Sequence, residues 1–136
     1  MKISKSFNAW RKQMKKAVKD MSSKRLFKIL IPVSIVFFIL GLIVPYLYLY
    51  PEAGEQIAVP LHYNIHFGVD LFGRPWRVFA PSIVGLSVLV VNLIFAVTLW
   101  NRSRILSYGL LCATAVIEII LFTASAFVTL LVLSYL

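Results

Sequence analysis

Three long apolar stretches dominate the pattern along the chain. Residues 29–50 and 79–100 contain no charged side chain, and residues 105–136 contain one, Glu118. A helix of about 20 apolar residues crosses a hydrocarbon core of roughly 30 Å. The pattern therefore predicts an all-α membrane protein with transmembrane helices over 29–50, 79–100 and 105–134. A soluble helical bundle is disfavoured, because its helices would keep a polar face that these stretches lack.

The polar segments between these stretches complete the predicted organisation. Residues 1–28 form a basic arm ahead of a three-helix transmembrane domain at 29–136. Residues 51–78 form a loop whose glycines, prolines and β-branched residues predict a short extracellular cap or hairpin. A cleaved signal peptide is the alternative for the first apolar stretch, but that stretch is too long and no A-x-A site follows it.

The basic arm has the pattern of an amphipathic helix over residues 5–21. Its apolar residues recur every three or four positions and include Phe7, Trp10, Met14 and Met21. We expect this helix to lie in the headgroup plane of an anionic inner leaflet, with Phe7 and Trp10 buried and the cations on the lipid headgroups. No nucleic-acid-binding motif accompanies the cations, so lipid is favoured over nucleic acid or a protein partner. The predicted lipid-surface residues are Trp10, Arg11, Lys12, Lys15, Lys16 and Lys19.

The distribution of charge predicts the orientation. Residues 1–28 carry ten Lys and Arg against one acid, Asp20, and the short turn 101–104 carries two arginines. The loop 51–78 carries two arginines against three acids. The positive-inside rule then predicts a multi-pass cell-membrane protein with a cytoplasmic N-terminus and an extracellular C-terminus. Interfacial aromatic residues are expected at the outer face (Tyr46, Tyr48, Tyr50, Trp76, Tyr135) and at the inner face (Trp100, Tyr108).

Three polar side chains are candidates for contacts within the membrane: Glu118, Asn92 and Ser87. At 1.5 Å per residue, Glu118 lies about 22 Å from the turn 101–104, level with Ser87. Asn92 lies level with Thr114 by the same arithmetic. A carboxyl at this depth is costly and usually faces a partner. We expect Glu118 to be protonated and hydrogen-bonded to a neighbouring helix, and the alternative is a buried acid in a transporter or enzyme subunit.

Small residues on the second and third spans predict close helix contacts. One face of the second span carries, by helical spacing, Gly85, Leu89, Asn92 and Ala96. Gly109 and Ala113 form a small-xxx-small pair on the third span, of the kind that lets membrane helices approach. Contacts within the chain and contacts with a second copy in an oligomer both remain open.

The loop holds both histidines of the chain, His62 and His66, together with Asn64 and Asp70. On a helix, His62, His66 and Asp70 would share one face as metal ligands, but Gly68 would interrupt that helix. No Ser or Cys in the loop offers a nucleophile. We therefore predict no metal, no cofactor and no catalysis, and we treat His62, Asn64, His66 and Asp70 as candidate binding residues.

Six residues of the loop resemble a known signature: Pro60, His62, Asn64, Gly68, Asp70 and Gly73. The signature, P-x-H-x-N-x-x-G-x-x-D-x-x-G, marks a bacterial membrane domain family of unknown function that also forms the N-terminal part of SdpI-type immunity proteins. In this chain the first glycine comes one residue later, and Arg74-Pro75 replaces the usual Ser-Lys. The resemblance covers residues 29–100 and implies an outward-facing motif with no established catalytic residue.

These patterns together predict a non-enzymatic integral membrane protein whose outer loop binds a peptide, a protein or a cell-envelope component. The resemblance adds immunity against a secreted toxin, or sensing, as an expected role. A transporter or enzyme subunit that uses Glu118 is the alternative. A third interpretation is a structural membrane anchor whose basic arm docks a cytoplasmic partner.

Overall fold

The computed structural model describes residues 2–53 and 58–135, with side chains described over 7–49 and 58–135. This part of the chain is mostly helical, and it carries one small hairpin, as predicted. In chain order the elements are α1 Lys2–Ser23, α2 Arg25–Ala53, β1 Val59–Asn64, β2 Gly68–Gly73, a 3-10 helix Pro75–Phe79, α3 Ala80–Leu99 and α4 Arg104–Leu133. The side chains of Tyr50, Glu52 and Glu55, which entered the orientation argument, lie outside the described residues.

Three helical segments, Arg25–Leu49, Pro75–Leu99 and Arg104–Leu133, are long and apolar enough to cross a membrane. The predicted spans agree with them to within a few residues. The first segment starts earlier than predicted because α2 follows α1 after a single bend residue, Lys24. At 1.5 Å per residue α4 is about 45 Å long, so it exceeds a hydrocarbon core of roughly 30 Å.

Helix α1 packs against one end of the three-helix bundle, which we call the arm end. Its Ala17 and Met21 are buried with Val97 and Trp100, and Met14 packs against the same cluster. The second half of the apolar face of the arm is therefore covered by the bundle, and contact of Phe7 and Trp10 with lipid stays a prediction. Only the start of that face, Phe7 and Trp10, and the neighbouring Val18 are exposed. The rest of the face packs on the α3 side of the bundle, because the protein surface at the arm end is itself apolar and fixed in position.

A polar junction around Asp20 fixes α1 to this end. The Trp100 indole N–H donates to Asp20 Oδ2 at 2.9 Å, and the Arg104 guanidinium lies 3.4 Å from the same oxygen. Lys24 Nζ lies 3.7 Å from the other oxygen. Trp100 is only 2% exposed and packs edge-on against Tyr108. The expectation that Trp100 faces the lipid interface is therefore wrong, since its ring is covered by α1 and its N–H is bound by the arm.

The middle of the bundle is held by small and polar residues. Asn92 Nδ2 donates to Thr114 Oγ1 at 3.0 Å, which confirms that the two residues lie at one depth. Nearer the arm end, Ser107 Oγ donates to the carbonyl of Ala96 at 2.9 Å. Hydrogen bonds between membrane helices contribute about 0.6 kcal/mol each on average. Close approach of α3 and α4 therefore depends on several such contacts together.

One hydrogen bond between α2 and α4 compensates for a proline. Pro45 has no N–H, so it cannot donate to the carbonyl of Gly41 four residues earlier. Ser125 of α4 donates its hydroxyl to that carbonyl at 2.9 Å, in a buried position. A serine from a neighbouring helix thus satisfies the backbone group that the proline leaves free, as membrane helices require.

The small pair Gly109 and Ala113 lies on the exposed face of α4. Nothing lies within 4 Å of a Cβ placed on Gly109. The pair therefore takes no part in packing against the described residues, and its role in an oligomer stays a prediction.

Replacing Asp20 with Ala should release α1 from the bundle while the three long helices stay folded. The Trp100 N–H, followed by the charges of Lys24 and Arg104, holds the pKa of Asp20 below its ordinary value of 3.8. A depressed pKa in the folded state stabilises docking above the ordinary value, and this contribution is lost as the pH falls through the lowered pKa. Amide hydrogen exchange of residues 10–21 should therefore accelerate in the variant at neutral pH, and in the wild type only under strong acid.

Lys19→Ala provides the control, because Lys19 is an exposed neighbour with no contact in the junction. It should leave exchange in α1 unchanged. Equal exchange in Asp20→Ala and the wild type would show that the apolar contacts alone dock the arm.

Candidate functional site

The loop between α2 and α3 folds as an antiparallel hairpin that lies along the end of α4 opposite the arm. We call this the hairpin end. Val59 pairs with Gly73 and Asn64 pairs with Gly68, so residues 65–67 form the turn. Val59 is fully buried with Leu49, Val78 and Val132, which ties the base of the hairpin to the helices. The predicted cap is thus a folded unit anchored to the bundle.

Two residues, Asn64 and Gly68, set the geometry of the turn. The side-chain carbonyl of Asn64 accepts the backbone N–H of His66 at 2.9 Å, the bond of an Asx turn. Gly68 follows the turn with φ of 75°, a left-handed conformation that costs other residues about 1–2 kcal/mol. Asn64 and Gly68 therefore specify the direction in which the chain reverses.

His62 and Asp70 face each other across the two strands. His62 Nδ1 lies 2.6 Å from Asp70 Oδ1, and both side chains are partly exposed to solvent. Exposed pairs of this kind contribute at most about 1 kcal/mol. The strands exclude the helical arrangement of His62, His66 and Asp70, because His66 lies in the turn. In the described part of the chain, no three His, Cys, Asp or Glu side chains are grouped as metal ligands would be.

Gly73 allows the hairpin to close on its base. A Cβ at Gly73 would collide with the side chain of Leu61 on the opposite strand and press on Arg77. Five of the six signature residues therefore have an architectural function within the hairpin: Gly73, Asn64, Gly68 and the paired His62 and Asp70. The spacing of the signature therefore matches the structural requirements of this hairpin.

The tip of the hairpin presents apolar side chains to the surroundings. Ile65 is 81% exposed and Phe67 is 84% exposed, on either side of His66. Tyr63 and Leu71, farther down the strands, are also exposed. Exposed aromatic and aliphatic side chains grouped on one element are typical of an interaction site. The candidate site therefore includes the tip, which the sequence pattern did not single out.

An apolar groove separates β1 from α4. Its volume is about 580 Å³, and Leu61, His62 and Tyr63 form one wall. The opposite wall consists of α4 side chains between Ala124 and Ser134. A second groove of about 460 Å³ lies on the other side of Leu61, beside Trp76 and Arg77. The hairpin therefore stands between two shallow apolar surfaces, and His62 is the polar side chain at the rim of the first.

Glu118 lies in the interior of the bundle, where it is 1% exposed. It packs against Gly85 of α3, since a Cβ at Gly85 would lie 2.7 Å from Glu118 Oε2. Its Oε1 has no hydrogen-bond partner among the described residues, and neither does the buried Ser82 Oγ. Among the described residues, none therefore supplies the hydrogen bond expected at this oxygen. Gly85, rather than Ser87, is the residue of α3 that meets Glu118.

Ser87 lies on the exposed face of α3, where its hydroxyl donates to the carbonyl of Ile83 at 3.0 Å. The depth of Ser87 along the helix matches that of Glu118, as predicted, but its side chain points away from Glu118. At the arm end, the six predicted lipid-surface residues are all exposed, so they are free to meet a membrane surface. The structure thus separates three features: the hairpin, the buried acid and the basic arm.

Sequence reasoning missed the side chains that join distant segments. Asp20 entered only as a charge to be counted, although it binds Trp100 and Arg104, which lie 80 and 84 residues later in the chain. A single acid within a basic arm was the available signal. The role of Ser125 was also missed. The available signal was a proline within one span, Pro45, together with a serine on another span that could satisfy the carbonyl that the proline leaves free.

Replacing Glu118 with Met should raise the melting temperature of the purified protein. Met has a similar length and fills the space beside Gly85, and the exchange removes a buried polar group without a partner, which costs about 1–3 kcal/mol. Thermal unfolding in detergent measures the change. The control is Asn92→Leu, which removes a formed hydrogen bond and should lower the melting temperature. A lower melting temperature for Glu118→Met would mean that the carboxyl is bound by a group that compensates its burial.

Comparisons of the chain with known protein families, with curated proteins and with solved structures find no match. The resemblance of residues 60–73 to the membrane domain family therefore stays a prediction from their spacing. What can be proposed about function depends on the hairpin, on Glu118 and on the arm.

Proposed function

We propose that the protein is a non-enzymatic membrane protein that binds a partner through its hairpin. The observation that carries this proposal is the exposed tip, Ile65 and Phe67, held on a turn that Asn64 and Gly68 specify. Because the turn is fixed in the free protein, little conformational entropy is lost when the tip is covered. Aromatic and aliphatic anchors of this kind dominate the energetics of protein interfaces.

The partner that fits this tip is a peptide or a protein with an apolar surface. The tip, residues 65–67, carries no Asp, Glu, Lys or Arg, and its one polar side chain is His66. Asp70, farther down the strand, is bound to His62. A ligand with many charges would therefore find few complementary groups there. A less polar cell-envelope component is the other ligand class that these contacts admit.

The proposed orientation places the hairpin outside the cell and the arm inside. The hairpin and the arm lie at opposite ends of helices long enough to cross a membrane. This placement follows because one span, α2, separates them in the chain. The positive-inside rule assigns the basic arm to the cytoplasm. An outward tip would meet secreted peptides, and the signature resemblance supports immunity or sensing as the biological role.

A second candidate function is that of a transporter or enzyme subunit. The unpartnered Oε1 of Glu118 is the observation that favours it, because such an oxygen is available to a proton or to a ligand. In the described spans, the other Lys and Arg side chains lie near the helix ends, and no second Asp, Glu or His accompanies Glu118 at its depth. Binding at the hairpin is therefore favoured over a proton relay through the bundle. A structural anchor that docks a cytoplasmic partner through the arm is a third candidate.

The binding proposal predicts that the tip captures a partner without contributing to the fold. A photo-crosslinking amino acid replacing His66 should form a defined protein or peptide adduct in intact cells. Ile65→Ser with Phe67→Ser should abolish the adduct while the melting temperature is unchanged, because both side chains are exposed. Mass spectrometry of the adduct identifies the partner.

Two further variants make this experiment decisive. Ile105→Ser removes an equally exposed apolar side chain at the arm end and should leave the adduct intact. Gly68→Ala strains the turn and should lower the melting temperature and the adduct yield together. An adduct that persists without the tip side chains, or adducts with lipid alone, would contradict binding of a partner by the tip.

The orientation proposal predicts which positions an impermeant thiol reagent reaches. In a Cys112→Ser background, which removes an exposed cysteine, Phe67→Cys should be labelled in intact cells. Lys12→Cys should be labelled only after permeabilisation. Labelling of Lys12→Cys in intact cells would reverse the assignment.

A further inference from the structure

A cleft opens between α1 and the turn that joins α3 to α4. Its volume is about 430 Å³. The polar residues along it are Trp10, Gln13, Lys16, Thr98, Asn101 and Arg102. The arm supplies one wall and the ends of the spans supply the other. Because Met14, Ala17 and Met21 fix α1 against the bundle, the two walls keep a set distance from each other.

The cleft is positively charged and has no acid of its own. Lys16 and Arg102 both line it, and neither forms an ion pair with any described side chain. The acid nearest in sequence to Lys16 is Asp20, which is bound by Trp100, Arg104 and Lys24. The Asp20 junction therefore occupies one set of cations and leaves Lys16 and Arg102 available for an outside anion.

The surface beside the cleft is suited to hydrocarbon chains. Ile94 and Phe95 lie one turn from Thr98 on α3, and both are exposed. On the arm side, Trp10 is exposed and its ring centroid lies 6.0 Å from that of Phe7. Tryptophan side chains prefer the membrane–water interface. A molecule with an anionic head in the cleft would thus have apolar protein surface where its tails run.

We propose that this cleft binds one anionic phospholipid, whose phosphate lies between Lys16 and Arg102 and whose acyl chains follow Ile94 and Phe95. The amide groups of Gln13 and Asn101 and the indole N–H of Trp10 supply further donors to the headgroup. Hydrogen bonds from cations to phosphate are stronger than neutral ones. The site is defined by its position between two walls, which distinguishes it from general attraction of the arm to a charged surface. It does not depend on what the hairpin binds.

The test compares two double variants that remove the same charge. Lys16→Gln with Arg102→Gln empties the cleft of cations. Lys12→Gln with Lys15→Gln removes two exposed cations from another part of α1, beside Asn8 and Arg11. The full-length protein in neutral detergent is titrated with phosphatidylglycerol and, separately, with phosphatidylcholine of the same chains, and native mass spectrometry counts the bound lipids.

The wild type should retain one phosphatidylglycerol and bind phosphatidylcholine more weakly. Loss of the two cleft cations should weaken binding by about tenfold or more, because the phosphate then has no charged donor in the cleft. The Lys12 and Lys15 variant should bind as the wild type does. Lys16→Gln alone, an exposed change that leaves the fold intact, should give an intermediate affinity if the double variant does not fold.

Three results would overturn the proposal. Equal loss in both double variants would show diffuse attraction to the arm. Equal binding of phosphatidylcholine would remove the requirement for an anionic head. Displacement of the bound lipid by inorganic phosphate at matched ionic strength would assign the cleft to a free phosphate, because a soluble anion would then occupy it without acyl chains.

Discussion

In lipid, moving an apolar side chain from the acyl chains to a helix interface gains no hydrophobic free energy, and this constraint shapes the whole bundle. Helices in a membrane associate through close packing and polar contacts instead. Between the two ends, small and polar residues accordingly supply several of the contacts between helices: Asn92 meets Thr114, Glu118 meets Gly85, and Ser125 meets the backbone of α2. In the described part of the chain, the buried apolar clusters lie at the two ends, where α1 and the hairpin cover helix termini that would otherwise face water or headgroups.

The two ends have different chemistry because different segments cover them. At the arm end an acid joins two cations and an indole, which holds a basic helix against the bundle and leaves other cations unpaired. At the hairpin end a rigid turn presents aliphatic and aromatic side chains without charge. The first arrangement suits phosphate and the second suits an apolar protein surface. The two proposals thereby assign one recognition surface to each end of a single small chain.

The length of an apolar stretch is enough to predict a span, because bilayer thickness fixes helix length. The same arithmetic placed Asn92 beside Thr114, since both residues are counted from one short turn. It could not place Ser87, because depth leaves the direction of a side chain undetermined. Amphipathic spacing found the arm helix but could not say whether Met14 and Met21 would meet lipid or protein. The partners of Asp20 and the exposure of Phe67 depend on the packing of distant segments, which no local pattern records.

The bond between Ser125 and the Gly41 carbonyl has a consequence for how this sequence changes over generations. The serine hydroxyl has a function there only while position 45 lacks a backbone donor. A lineage that exchanges Pro45 for another residue regains the helical hydrogen bond, and selection on Ser125 is then relaxed. A lineage that loses Ser125 first leaves a carbonyl bare within the membrane. Related sequences should therefore show covariation between positions 45 and 125, with the loss of the proline preceding the loss of the serine.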